Sequence, residues 1–349
     1  MSSMRAAVMR GDRFEVEERP IPKPGPGNVL AKVRACGICG SDLHYFHHAP
    51  EIISRARSLG ADTSGMERTL REGPVLGHEF VCEIVDFGPE TSKALSAGDR
   101  VASMPFVMRG GAPVLVGSRA DTPGAYAEYM ELTEALLLPV PDEVSDEAAA
   151  LVEPFGIAVH AVTKAALRGD EACVVVGCGP IGLAIAAVLR ARGFDTIVAG
   201  DLSPTRRRLA SELGATAVVD ARSESVVARA VEAAPGRPVA IFENTGAAGM
   251  LHRLVIEAPK DAQILVTGIA VGDESLTPMA AITKELKLQF VIYYAAEEFA
   301  EALELIRSGR VNWAPLLTGS VGLGGVTQAF ADLSDPERHA KILVRPWES

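Results

Sequence analysis

The chain has 349 residues, 48% of them hydrophobic and 23% charged, ordinary globular proportions that exclude a disordered, collagen-like or low-complexity chain. At roughly 150 residues per domain this length predicts two domains. Lys and Arg total 34 against 45 acids, and the formal charge of −11 argues against nucleic acid or an anionic membrane as a partner. Five cysteines are too few, and odd in number, for a disulfide framework. The opening residues carry closely spaced charges and no apolar core of a secretory signal, so the expectation is a reducing, cytoplasmic location. Residues 172–189 lack any charge, but Gly177, Gly179, Pro180 and Gly182 interrupt them. A buried strand, a glycine turn and a helix fit that stretch better than a membrane span.

In chain order, the first 150 residues read mostly as β. Residues 29–35 alternate apolar and polar positions after Pro-Gly-Pro-Gly at 24–27, which predicts a half-buried strand behind a turn. A second strand is expected at 79–87, between Gly77 and Gly88. Residues 45–74 are polar, with helix-like stretches around 52–59 and 66–70, and read as an insertion between strands. From about 155 to 295 short apolar runs alternate with helical ones: strands at 173–177, 196–200, 217–220, 239–243, 263–267 and 286–292, with helices such as 180–192 and 204–213. Ser203, Pro204 and Gly214 supply the cap, first position and stop of the latter helix. This alternation predicts an α/β unit with a parallel sheet covered on both faces. Residues 296–349 are mixed and expected to pack back on the N-terminal part.

Gly177-Cys178-Gly179-Pro180-Ile181-Gly182 is a GxGxxG between an apolar strand and a helix. The first glycine permits the turn, the second lets backbone approach a pyrophosphate, and the third lets helix and strand pack closely. The helix N-terminus, opened by Pro180 and Ile181, offers free N–H groups to the anion. Nineteen residues after Gly182 stands Asp201, near the offset expected for the acid on a ribose 2′-hydroxyl. A carboxylate there favours NAD over NADP. Arg206-Arg207-Arg208 reads either as a phosphate clamp or as a solvated helix face, with Arg206 nearest the adenosine ribose. Lys284 and Lys341 are further candidates for the cofactor phosphates.

Cys36-Gly37-Ile38-Cys39 has the spacing of half a zinc site or of a redox pair, and the other cysteines (Cys82, Cys173, Cys178) supply no second pair. A catalytic zinc needs three N, S or O ligands and an open position. Cys39, His78 and one or both of Glu79 and Glu153 would provide them, although a lone Gly-His-Glu also fits a packed strand histidine. Cys36 and Cys82 read as packing residues. His47-His48 reads as an exposed loop pair or a metal site, and His160 and His252 have no nameable partner.

GICGSDLH at 37–44, GHE at 77–79, VEP at 152–154 and GCGPIG at 177–182 stand in the order found in zinc-dependent medium-chain alcohol dehydrogenases. The chain resembles that family from about residue 4 to 346, most of all its polyol (sorbitol-type) and threonine dehydrogenase branches. The resemblance implies a GroES-like β-rich catalytic domain from 1–154 and 296–349, a Rossmann doubly wound sheet from 155–295, and an active site in the cleft. It implies Cys39 and His78 as zinc ligands, with Glu79 and Glu153 as acids that bind zinc or its water. Asp42 would orient the zinc histidine, and Ser41 and His44 would form a proton relay. It also implies a homodimer or homotetramer joined through the sheet edge near 286–292.

Two departures carry weight. Members with a structural zinc have a four-cysteine lobe where residues 102–123 hold no cysteine, so one catalytic zinc and no structural zinc are expected. The interval from Cys39 to His78 is longer than usual, the extra length falling in 45–74 beside the relay, and this leaves the substrate class open. The expected chemistry is oxidation of a secondary alcohol or polyol by NAD: an alcohol acidified on zinc, its proton taken by Ser41 and passed to His44. The competing readings are a zinc-free quinone or enoyl reductase on the same plan, and a non-enzymatic binding module. The first would lack the Cys39, His78 and Glu153 set; the second would have lost relay or metal residues.

Overall fold

Alternating burial organises the first part of the chain. In the computed structural model, which describes residues 3–270 and 272–348, β1 (Ser3–Arg10) folds back on β2 (Arg13–Pro20) as an antiparallel hairpin. The period-2 stretch lies within β3 (Asn28–Gly37), where Val29, Ala31, Val33 and Ala35 are fully buried. It pairs antiparallel with β4 (Glu79–Phe87), the second expected strand.

Between these strands the chain is helical: α1 (Gly40–Ser58) and α2 (Ser64–Glu72). The insertion thus lies between the two strands, its helix-like stretches around 52–59 and 66–70 falling in the part of α1 beyond His48 and in α2. His47 therefore lies on a helix, with His48 at the kink that follows it, and the pair is not in a loop. The helix bends at His48 (φ −132°, ψ 18°) because Pro50 has no N–H to give to the preceding turn. Ala49, Ile53 and Thr69 are buried, and Phe46 stacks on Phe14 at 5.2 Å.

Short strands follow: β5 (Arg100–Ser103), β6 (Phe106–Arg109), β7 (Ala112–Leu115), β8 (Tyr129–Thr133) and β9 (Leu137–Pro139). The cysteine-free stretch contains the β6–β7 hairpin, anchored by a buried polar cluster. Glu131 accepts hydrogen bonds from Gly25 N and Asn28 Nδ2, both at 2.8 Å, and from Arg109 Nη1 at 3.0 Å and Nη2 at 2.5 Å. Thr133 Oγ1 donates to Asn28 Oδ1 at 2.7 Å and accepts from Met108 N at 2.9 Å.

The second part alternates strand and helix. After α3 (Asp146–Ala149) and α4 (Val152–Lys164) come β10 (Ala172–Val176), α5 (Pro180–Ala191), β11 (Ile197–Asp201), α6 (Pro204–Glu212), β12 (Ala217–Asp220), α7 (Val226–Ala233), β13 (Val239–Glu243), α8 (Met250–Glu257), β14 (Gln263–Val266), α9 (Pro278–Thr283) and β15 (Lys287–Phe290). All six strands run parallel in the order β12-β11-β10-β13-β14-β15. Every residue of β10 and β13 is buried, as a strand covered on both faces requires. The strand order reverses between β10 and β13, the switch point at which such sheets take ligands.

The chain ends with α10 (Ala296–Arg307), β16 (Leu317–Val321), α11 (Val326–Leu333) and β17 (Lys341–Val344). β17 pairs with β3, and β16 extends that sheet to the order β16-β17-β3-β4-β5-β9, with β8 also on β3. Two units result. One runs to Glu153 and takes up Leu317–Asp335 and the segment from Lys341; the other is Pro154–Leu316 with Pro336–Ala340. The expected division at 295/296 is corrected: α10 belongs with the parallel sheet because its apolar face is buried there, Phe299 stacking on Tyr294 at 5.2 Å. Pro336–Ala340 joins the same unit through Arg206 Nη2, which donates to His339 O at 2.7 Å. Among the described residues no helix is long and apolar enough to cross a membrane.

Glu131→Ala would strand the buried donor Asn28 Nδ2 and the partly buried Gly25 N. The expected loss is about 1–3 kcal/mol in equilibrium denaturation. A loss below about 0.5 kcal/mol, the range of ordinary surface changes, would show that the cluster does not anchor the hairpin.

Candidate metal centre and dinucleotide site

Cross-strand register brings the metal donors together. Gly37 at the end of β3 stands opposite Glu79 at the start of β4, so Cys39, just beyond the one, meets His78, just before the other. The ligand atoms of Cys39, His78 and Glu79 all lie within 4.8 Å of one another. Asp42, buried in the first turn of α1, holds this arrangement. Its Oδ2 accepts from Tyr126 OH at 2.7 Å and Cys39 N at 3.2 Å, and its Oδ1 lies 3.4 Å from His78 Nδ1. With Nδ1 turned to Asp42, Nε2 is the nitrogen left to bind a metal.

The electrostatics follow from burial and these contacts. Burial alone would lower the His78 pKa, but the charges of Asp42 and Cys39 outweigh it and raise it well above the ordinary value. Burial likewise opposes ionisation of Asp42, yet His78, Tyr126 and Cys39 N bring its pKa below the usual carboxylate value. A metal held by Cys39 and His78 would have to displace the proton that these charges favour on His78.

Glu79 has a second partner that the sequence did not indicate. Lys341 Nζ, fully buried, donates to Glu79 Oε1 at 2.8 Å, to Oε2 at 2.7 Å and to Ile38 O at 2.8 Å. Burial pulls the lysine pKa down, but Glu79 and then Cys39 more than reverse it, and the pKa is raised. The expectation that Lys341 approaches cofactor phosphates is corrected. Lys284 is corrected too: its Nζ donates to Val255 O at 3.2 Å and Ile256 O at 2.5 Å. Glu153, buried in the first turn of α4, is not one of the three clustered donors, though its charge acts on Lys341.

Ser41 is half-buried and His44 exposed on the opening turns of α1. Among the described residues no hydrogen bond joins their side chains. Partial burial, then His48 and His47, lower the His44 pKa. Cys36 and Cys82 are fully buried, and burial pushes both thiols well above their ordinary value, as suits packing residues.

At the other site Gly177 has φ +87°, and a Cβ there would stand 2.5 Å from Thr245 Cγ2. A Cβ on Gly182 would lie 2.0 Å from Gly177 O, whereas one on Gly179 would meet open space. The three glycines thus serve the turn, the close packing and the open approach respectively. Pro180 and Ile181 open α5 behind Gly179 as N-cap. At the end of β11, Asp201 Oδ2 accepts from Cys178 N at 2.7 Å and Oδ1 from Ser203 N at 2.8 Å.

The arginine run is neither a clamp nor a uniformly solvated face. Arg206 is buried on His339 O, Arg207 pairs with Asp220 at 3.1 Å, and Arg208 pairs with Glu212. Arg206 Nη1 is buried and has no hydrogen-bond partner among the described residues. An orphaned guanidinium nitrogen, a carboxylate at the strand end and an open glycine suit a dinucleotide, with Gly179 at the pyrophosphate and Asp201 and Arg206 toward the adenosine ribose. The donor set of Cys39 and His78, with Asp42 behind the imidazole, suits zinc.

Asp42→Asn removes the charge that aligns His78. Zinc affinity, measured by competition with a chromophoric chelator, should fall by about 10–100-fold. Unchanged affinity would mean that Asp42 is a packing group only.

The family models agree with this geometry. The alcohol dehydrogenase GroES-like domain matches residues 25–142, and the zinc-binding dehydrogenase domain matches residues 180–308. The (R,R)-butanediol dehydrogenase of Bacillus subtilis is 33% identical over 355 residues, covering 98% of this chain and 100% of its own. The protein named "Probable D-xylulose reductase A" in Aspergillus terreus is 33% identical over 346 residues, covering 93% of this chain and 94% of its own. The crystal structure of 2R,3R-butanediol dehydrogenase from Bacillus subtilis matches with a TM-score of 0.84 at 31% identity, covering 99% of this chain and 100% of that one. The chain belongs to the zinc-dependent medium-chain alcohol dehydrogenase superfamily, in the branches of the polyol and threonine dehydrogenases.

Proposed function

We propose that this protein oxidises a secondary alcohol or polyol with NAD, using one zinc per chain. The observation that carries the reading is the cluster of Cys39, His78 and Glu79 with Asp42 behind it, on the same helical turn as Ser41. Relatives named for butanediol and xylulose favour a vicinal diol or polyol as substrate. Zinc bound there would supply Lewis acidity toward an alcohol oxygen, and bound NAD would supply the hydride acceptor.

The chain's own residues handle the proton. Ser41 Oγ is the first acceptor, passing its own hydroxyl proton on, and His44 the outlet to solvent. The lowered pKa of His44 keeps the imidazole neutral, and so able to accept, to a lower pH than an ordinary histidine. Alcohol oxidation should therefore fall off only as the pH drops below the ordinary histidine range. Ser41→Ala should keep its zinc, measured by elemental analysis at close to one ion per chain, and lose about 10²–10⁴ in single-turnover oxidation rate. Near-normal turnover by zinc-loaded Ser41→Ala would remove Ser41 from the mechanism, and two tightly held zincs per chain in the unaltered protein would overturn the single-site reading.

NAD is favoured over NADP because Asp201 stands at the end of β11, while Arg207 is engaged with Asp220 and Arg208 with Glu212. A 2′-phosphate would face the Asp201 carboxylate, and of the three arginines only the buried Arg206, held on His339 O, is left to offset it. The ratio of kcat/KM for NAD to that for NADP should exceed unity, and Asp201→Ser should lower that ratio by about tenfold or more. Equal use of both coenzymes by the unaltered protein would contradict this.

A further inference from the structure

We infer that Glu243 is a positioning residue for the dinucleotide: its buried carboxyl group sets the slot between the glycine turn and the segment that follows β14. Glu243 is the last residue of β13, opposite Val176 on β10 and Val266 on β14, and so stands at the rim of the sheet beside the switch point. It is 2% exposed. Its Oε1 accepts from Thr245 N at 2.7 Å, from Gly246 N at 3.1 Å and from Thr245 Oγ1. The carboxyl group is therefore spent on its own following turn. An apolar side chain at 243 would leave those two backbone donors unmet.

That turn touches both neighbouring segments. Thr245, held by Glu243, sets its methyl against Gly177, where a Cβ would stand 2.5 Å away. Asn244 N donates to Val176 O at 2.9 Å, and Asn244 Oδ1 accepts from Thr267 Oγ1 at 2.7 Å. On the other side a Cβ on Gly246 would lie 2.6 Å from Ile269 O. One on Gly268 would lie 2.2 Å from Gly246 N and 2.5 Å from Glu243 Oε2. The turn held by Glu243 thus touches the glycine turn on one side, through the Thr245 methyl, and the backbone after β14 on the other, next to a cavity of about 420 Å³ lined by Glu243, Gly246, Gly268, Ile269 and Phe290. Ligands of open α/β sheets enter at this end, so the spacing held by Glu243 is the spacing a dinucleotide meets.

The inference rests on reading the glycine turn as a dinucleotide site, and its test separates the two. NADH alone is titrated by fluorescence into zinc-loaded protein, and thermal unfolding is followed without NADH. Glu243→Ala should raise the NADH dissociation constant by about tenfold or more. Glu243→Gln, whose amide oxygen accepts the same bonds, should stay within about threefold of the unaltered protein. Thr245→Ala, which removes only the methyl and hydroxyl between Glu243 and Gly177, should weaken NADH by about threefold or more with little change in melting temperature. This variant decides the matter if Glu243→Ala does not fold. NADH binding by Glu243→Ala or Thr245→Ala equal to that of the unaltered protein would overturn the inference and leave the cofactor reading standing, as would equal loss in the Ala and Gln variants. Failure of the unaltered protein to bind NADH would overturn both.

Discussion

The ion pair between Lys341 and Glu79 is the constraint on which the metal centre depends. Both side chains are fully buried, a costly state for two charges unless every donor is met. Here the three ammonium protons have three acceptors: both oxygens of Glu79 and the carbonyl of Ile38. The pair joins the turn that leads to Cys39, the strand start next to His78, and a strand at the far end of the chain. Gly37 is required for it, since a Cβ there would stand 2.2 Å from Glu79 Oε2. Glu79 is therefore held in place once β17 has paired with β3, while the β3–β4 register brings Cys39 and His78 together.

Two carboxylates in this small volume have different work because their partners differ. Asp42 faces His78 and Tyr126; Glu79 faces Lys341. The helical segment that carries Asp42 also carries Ser41 and His44, and a kink at His48 separates it from the helical insertion that follows. Phe46, partly buried, ties that helix to the core around Phe14 and Phe330.

In the parallel-sheet unit the same logic is carried by backbone instead of charge. Gly177, Gly182, Gly246 and Gly268 stand where a Cβ would collide with neighbouring atoms, and the strand ends pack closer than side chains allow. Glu243 and Asp201 then satisfy the turn amides exposed at those strand ends, Thr245 and Gly246 for one, Cys178 and Ser203 for the other. Polar satisfaction and close approach are two aspects of one arrangement.

Most of the fold was legible in local pattern. Alternation gave away the strand at 29–35, apolar runs between caps gave the six parallel strands to within a few residues, and Ser203 caps its helix through Arg206 N as its sequence position implies. The glycine spacing and Asp201 were equally readable, because their chemistry is set by near neighbours in the chain. Lys341, Tyr126 and Glu243 carried no such signal. A lysine 262 positions from its carboxylate and a tyrosine 84 from its aspartate have roles only once sheet pairing brings them there. The boundary at α10 was missed for the same reason, since an amphipathic helix shows which face it buries but not against what. Sequence by itself determined the elements, the cofactor turn and the donor types; tertiary structure alone decided which charges meet in the interior, because burial makes an unpaired charge costly and only the folded chain selects the partner.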